Sequence, residues 1–147
     1  MSLLNSKLSE LNVKKVDPRA VLPTRAHADD AGLDLYALED GEIGPMQGYV
    51  ARTGIAMALP PATVGMVADR SSMAKKGFKT AGGIIDAGYR GEIHIVLRNL
   101  TQDVLRFAQG ERIAQLIIYP ILTPAVREVS DLDQTHRGVK GFGSSGS

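Results

Sequence analysis

In the run GGIIDAGYRGEI (residues 82–93), the apolar pair Ile84 and Ile85 delivers the carboxylate of Asp86 to a turn that Gly88 and Gly91 permit. A carboxylate placed there can polarise a water or accept a hydroxyl, and Tyr89 offers a ring for a sugar or base to pack against. An ordinary hairpin with Asp at a turn position explains the same residues. A second carboxylate, Asp34, sits between Leu33 and Leu35. On a strand it points away from those leucines, where it either orients a metal-bound water or is solvated. Arg70, Ser71 and Ser72 precede a short helical pattern, so a guanidinium, hydroxyls and helix-start N–H groups could converge on phosphate. A plain N-cap explains the serines equally well but leaves Arg70 idle.

A third candidate is the C-terminal run RGVKGFGSSGS (residues 137–147). Its glycines and serines alone read as a disordered terminus. Phe142, however, gains nothing from standing alone among glycines in a solvating tail, and Arg137 and Lys140 add positive charge beside many backbone N–H groups. Such a segment can fold over an anionic ligand, with Phe142 presenting a flat face to a base. It lacks the GxxxxGK[ST] pattern and follows no strand-to-helix unit, so it reads as a nucleotide lid and not as a Walker loop.

Composition narrows the chemistry. Seventeen basic and 16 acidic residues nearly cancel, so no broad basic field is available for nucleic acid. There is no Cys, which removes thiolate nucleophiles and sulfur-ligated zinc. His27, His94 and His136 lack the short spacings of a helical metal site and read as surface or structural residues. No stretch approaches the ~18 apolar residues that span a bilayer, and residues 1–11 lack a signal-like apolar run, so a cytoplasmic protein is expected.

The elements that must hold these groups are mostly strands. Val50, Ile55, Met57 and Leu59 fall largely at alternate positions, as do Val64 and Met66, and then Ile93, Ile95 and Leu97. Residues 112–119 (RIAQLIIY) are apolar on both faces apart from Arg112 and Gln115, which predicts a strand covered on both sides. Turn signals recur at Asp40-Gly41, Gly44-Pro45, Pro60-Pro61, Gly82-Gly83, Gly91, Gly110 and Pro120. Many short strands with frequent turns predict an all-β sandwich, jelly roll or barrel. One short helix is expected over Ser71 to Lys76, ended by two lysines and Gly77. With 147 residues, 44% of them apolar, a single domain over 1–147 is expected, with a possible N-terminal arm over 1–12 and a flexible lid over 137–147.

Taken in order, these segments resemble the five motifs of the trimeric dUTPase family, from about Leu22 to the C-terminus. The motifs are matched by Ala31–Ala37 (AGLDLYA), Arg70–Ala74 (RSSMA), Gly83–Ile93 (GIIDAGYRGEI), Gly110–Leu116 (GERIAQL), and Arg137-Gly138 followed by Gly141–Gly146 (GFGSSG). The lead-in Leu22–His27 is similar as well. The resemblance implies a jelly-roll-like distorted β-barrel and a homotrimer with active sites at subunit interfaces. By the same resemblance Asp86 activates the water that attacks the α-phosphorus of dUTP, giving dUMP and pyrophosphate. Tyr89 packs on the deoxyribose and excludes a 2′-hydroxyl, and the hairpin from Thr80 to Tyr89, including Gly83 and Ile85, reads uracil largely through its backbone. Arg70, Ser71 and Gln115 hold the phosphates, Arg70 and Gln115 counting with Asp86 as catalytic, and Ser72 is counted among the substrate-binding residues. Arg137, Gly143, Ser144 and Ser145 cover the γ end, and Phe142 stacks on uracil. Mg2+ is held by the phosphates and by waters, one of them positioned by Asp34.

Two positions depart from the pattern. Ser72 stands where most members have Gly, and Thr80 where many have an Asn that touches uracil. Arg-Ser-Ser and Asp-x-Gly-aromatic-x-Gly also resemble the dCTP deaminases, which share the fold. Those carry a catalytic Glu ten residues after the aspartate, where this chain has Val96, and they lack a tail of this kind. Deamination, alone or combined with hydrolysis, and a dUTPase-like binding protein without turnover are the two alternatives.

Overall fold

Alternate residues of a strand face opposite sides, and in this chain one side is consistently apolar enough to be buried. The computed structural model describes residues 10–143. They form β1 (Asn12–Lys15), β2 (Leu33–Tyr36), β3 (Gly41–Ile43), β4 (Gly48–Arg52), β5 (Ile55–Ala58), β6 (Thr63–Ala68), helix α1 (Ser71–Lys76), β7 (Phe78–Ala81), β8 (Ile84–Asp86), β9 (His94–Asn99), β10 (Leu105–Phe107) and β11 (Arg112–Pro120). All the strand pairs are antiparallel and lie in four sheets, ordered β1-β5, β10-β3, β2-β11-β6-β8 and β4-β9-β7. This is the expected all-β, jelly-roll-like architecture, with one short helix among the described residues. The sheets are not closed into a continuous barrel.

The core lies between the sheets. Leu35, Ile43, Ile55, Ile93, Ile95, Leu97, Ile113 and Leu116 are almost fully buried. In β9 the alternation is complete: Ile95 and Leu97 point inward, His94, Val96 and Arg98 outward. In β6 the inward face is Thr63, Gly65 and Val67, so Val64 and Met66, expected inside from their apolarity, point outward. Val50 is likewise exposed, paired with Val96. β11 runs between β2 and β6 and buries Ile113, Ala114 and Leu116, while Ile117 and Ile118 are half-buried.

Helix α1 spans the expected residues and stops at Gly77, whose φ of 102° is the left-handed conformation that closes a helix. No side chain caps its start: the N-cap residue is Arg70, whose guanidinium is engaged elsewhere. Of the expected N-terminal arm, residues 1–9 lie outside the described residues, and Asn12 opens β1 opposite Ala58. Beyond Ile121, the described chain is exposed along its whole length to Gly143. Among the described residues, no helix is long and apolar enough to cross a membrane.

Candidate active site

The four-stranded sheet sets the positions of the acidic groups. In β2, Asp34 lies opposite Gln115 of β11, which in turn lies opposite Ala68 of β6. Directly after β6 come Asp69, Arg70 and α1, so register alone gathers Asp34, Gln115 and Arg70 at one end of the sheet. Arg70 Nε donates to Asp34 Oδ1 at 3.0 Å, and its Nη1 donates to the Arg112 carbonyl at 3.1 Å and to Ser72 Oγ at 3.3 Å. Arg112 Nη1 approaches Asp34 Oδ2 at 3.5 Å. Asp34 and Arg70 are both half-buried, and these bonds together hold the planar guanidinium in one orientation.

Gln115 is the polar interruption in the apolar β11, and its partners explain it. Its Nε2 donates to the Asp69 carbonyl at 2.8 Å, and its side chain fills the space above Gly32, where a Cβ would overlap the carboxamide. Asp34, Arg70, Ser71, Arg112, Gln115 and Gly32 line an open cleft of about 380 Å³. Ser72 is exposed, bonds back to Arg70 and is absent from that wall.

Asp69 is a residue that the motifs did not single out. Burial opposes its ionisation, but the Thr80 N–H, the Lys79 ammonium and the Thr80 hydroxyl outweigh burial and hold it below the usual carboxylate range. Both Thr80 groups meet Asp69 Oδ1, at 2.7 and 2.8 Å, and Lys79 Nζ meets Oδ2 at 2.9 Å. The Thr80 hydroxyl is thus turned inward, and what the hairpin offers to a ligand is its backbone near Gly82 and Gly83, both at positive φ. Gly83 also needs its missing side chain, because a Cβ would press on the Val67 backbone.

Asp86 ends β8, opposite Val64. The Tyr89 N–H donates to the Asp86 carbonyl at 3.0 Å, and Arg90 Nη1 staples the turn through the Ala87 carbonyl at 2.6 Å. Gly88 adopts no positive φ and meets nothing, so the turn does not depend on it. Gly91 does matter: the Tyr89 ring lies where a Cβ would stand, and its hydroxyl donates to the Glu92 carbonyl at 3.0 Å. The Asp86 carboxylate is exposed and takes no hydrogen bond or ion pair among the described residues. Asp86, Tyr89, Gly83 and Ile85, with Glu92 and His94, line a second cleft of about 220 Å³.

The two clefts are separate within one chain. Asp86 and Asp34 differ by four residues along β6 and by three strand spacings across the sheet, roughly 20 Å. Of the tail residues, Arg137 donates through Nε to the Lys140 carbonyl at 3.0 Å and, among the described residues, bonds only within its own segment, while Phe142 is fully exposed. Gly143 is exposed, and Ser144 and Ser145 lie outside the described residues. A single chain therefore brings together Asp34, Arg70, Ser71 and Gln115, separately Gly83, Ile85, Asp86 and Tyr89, and leaves residues 137–143 of the tail apart from both.

Comparisons with known proteins identify the family and the fold. The dUTPase family model matches residues 19–146. Deoxyuridine 5'-triphosphate nucleotidohydrolases of Gloeothece citriformis and Clostridium kluyveri are 43% and 44% identical, over 93% of this chain and 97% and 98% of theirs. A mutant dUTPase of Staphylococcus bacteriophage 80alpha, solved with dUpNHpp, superposes with a TM-score of 0.90 at 32% identity, covering 95% of this chain and 99% of its own. A mutant dUTPase of Staphylococcus aureus phage phi11, described with a structural Mg(II) ion, gives 0.80 at 26% identity, over 86% and 100% of the two chains. With its sequence matched almost end to end and its fold superposed, the chain belongs to the dUTPase family.

Proposed function

We propose that the protein hydrolyses dUTP to dUMP and pyrophosphate, with Asp86 as the base for the attacking water. The observation that carries this reading is the Asp86 carboxylate itself, held at a hydrogen-bonded turn beside Tyr89, facing a cleft and paired with no cation among the described residues. A carboxylate neutralised by Arg or Lys is a poor base; an unpaired one can take the proton from a water aimed at the α-phosphorus. The bond to the bridging oxygen breaks as the new one forms, and pyrophosphate leaves. Arg70, Ser71 and Gln115 hold the phosphates, with Arg70 fixed by Asp34 so that no reorganisation is needed. Tyr89 packs against the deoxyribose. Uracil is read by the hairpin backbone around Gly83 and Ile85, and the tail, through Arg137, Phe142, Gly143, Ser144 and Ser145, closes over the nucleotide.

Among the described residues no three acid or histidine side chains gather into a metal cage. The donor chemistry fits Mg2+ held by phosphate oxygens and waters, with the partly accessible Asp34 carboxylate accepting a hydrogen bond from one of those waters. When bound, the ion neutralises charge on the phosphate chain.

The roughly 20 Å between the clefts favours a homotrimer in which Asp86 of one chain meets Asp34 and Arg70 of another. Exposed apolar side chains that one chain leaves uncovered support it: Val50 and Val96 on one sheet, Met66 and Ile84 on another, and Leu122, Val126 and Leu132 beyond β11. No nucleic-acid or membrane partner is proposed; the setting is cytoplasmic, limiting dUTP and supplying dUMP for thymidylate synthesis. Val96 lies in an apolar cross-strand row with Val50 and Ala81, which offers no proton carrier for deamination.

Turnover in 18O-labelled water tests the reaction. Label is expected in dUMP and none in pyrophosphate. Label in pyrophosphate, release of single phosphates, or ammonia from dCTP would overturn the reading.

A further inference from the structure

Glu92 belongs to the Asp86 cleft but has no part in the reaction as described. Its carboxylate is only 13% exposed and is held from two sides. Arg52 donates to it through two atoms, Nε to Oε2 at 3.0 Å and Nη2 to Oε1 at 2.8 Å, and His94 Nε2 lies 2.9 Å from Oε2. Arg52 and His94 are direct cross-strand partners on β4 and β9, so the sheet presents both to Glu92 in fixed register. Arg52 is itself restrained, with Nη1 3.5 Å from Glu39, which also pairs with Arg19 at 3.3 Å. The Arg52 guanidinium, against the effect of burial and with help from His94, keeps the Glu92 carboxyl below its ordinary range. A forked, partly buried pair of this kind fixes geometry more firmly than an exposed one.

The same residue receives Tyr89. The Tyr89 ring is seated over Gly91, and its hydroxyl ends on the Glu92 carbonyl. Three consecutive features therefore locate the ring: the turn at Asp86, the missing Cβ of Gly91 and the anchored backbone of Glu92.

We infer that Glu92 is a positioning residue for Tyr89, its carboxylate anchored by Arg52 and His94 so that its carbonyl fixes the ring and sets how strictly the cleft refuses a ribose. This rests on the proposed role of Tyr89 against the deoxyribose. A steric test for one hydroxyl works only if the wall cannot yield, because apolar contact alone discriminates weakly against an added hydroxyl.

The experiment compares kcat and KM for dUTP and UTP across wild type, Glu92→Ala, Glu92→Gln, Arg52→Met and Tyr89→Ala, with thermal unfolding of each. The inference expects the dUTP-to-UTP ratio of kcat/KM to fall about tenfold in Glu92→Ala, less in Arg52→Met and least in Glu92→Gln, which can still accept from Arg52. Lowered Tm with an unchanged ratio in Glu92→Ala and Arg52→Met would overturn it, marking the cluster as structural. If Glu92→Ala does not fold, Arg52→Met decides by the same criterion. A ratio unchanged in Tyr89→Ala would instead overturn the sugar-reading role of Tyr89. Collapse of selectivity in Tyr89→Ala alone would leave that role standing and overturn only the inference.

Discussion

Arg70 and Asp34, 36 residues apart in sequence, form a 3.0 Å ion pair in which the guanidinium also holds the Arg112 carbonyl. The pair orients the cation before any phosphate arrives. Lysine carries the charge without the fork, so Arg70→Lys should lower kcat/KM for dUTP about a hundredfold while Tm changes little. Asp34→Asn should raise the Mg2+ concentration for half-maximal activity about tenfold, the scale expected when a group beyond the metal's direct ligands is altered. Steady-state kinetics with titrated Mg2+ would show both, and near-normal values would remove the pair from the site.

Gly32 gives Gln115 its place. A methyl at residue 32 would overlap the Gln115 carboxamide and displace it from the Asp69 carbonyl. Gly32→Ala should reduce kcat/KM at least tenfold while stability changes little, because what a Cβ meets is the far end of the Gln115 side chain, which can swing away. Chemical denaturation and kinetics on the same preparation would check this; full activity would show that Gln115 relaxes freely.

Asp69 links pH to stability. Its pKa is depressed on folding, so its contribution is fully present above the unfolded value of about 3.8 and is lost as pH falls through the lower folded value. Asp17, at about 2, and Glu92 act in the same direction, so the readout is a difference between proteins. Asp69→Asn should be less stable than wild type at neutral pH, with a shallower loss of stability below pH ~4. Parallel curves for the two proteins would contradict the half-buried, hydrogen-bonded role of Asp69.

From residue 122 to residue 143 the tail buries almost nothing on its own chain. Truncation before Arg137 should therefore cut dUTP turnover by about a hundredfold or more and move Tm by only a degree or two. Unchanged kinetics would exclude a closing tail.

Local rules made some of this legible in sequence. Two lysines and Gly77 marked the end of α1 because helix termination depends on neighbours in the chain. Gln115 stood out as a polar group in an apolar strand. Val64, Met66 and Val50 misled, because apolarity alone does not say which face of a strand the core covers. Asp69 gave no signal at all, since the Thr80 groups that define it lie eleven residues away, on the far side of helix α1. The separation of Asp86 from Asp34 was hidden for the same reason: it depends on strand order, and only the motif resemblance pointed to a site shared between chains.

Co-expression of Asp86→Asn with Arg70→Ala tests the shared site most directly. Each variant alone should be inactive. In randomly mixed trimers, sites that join Asp86 of one chain to Arg70 of its neighbour should restore about a quarter of wild-type activity. No recovery in verified mixed trimers would place Asp86 and Arg70 of one site on the same chain and contradict the account.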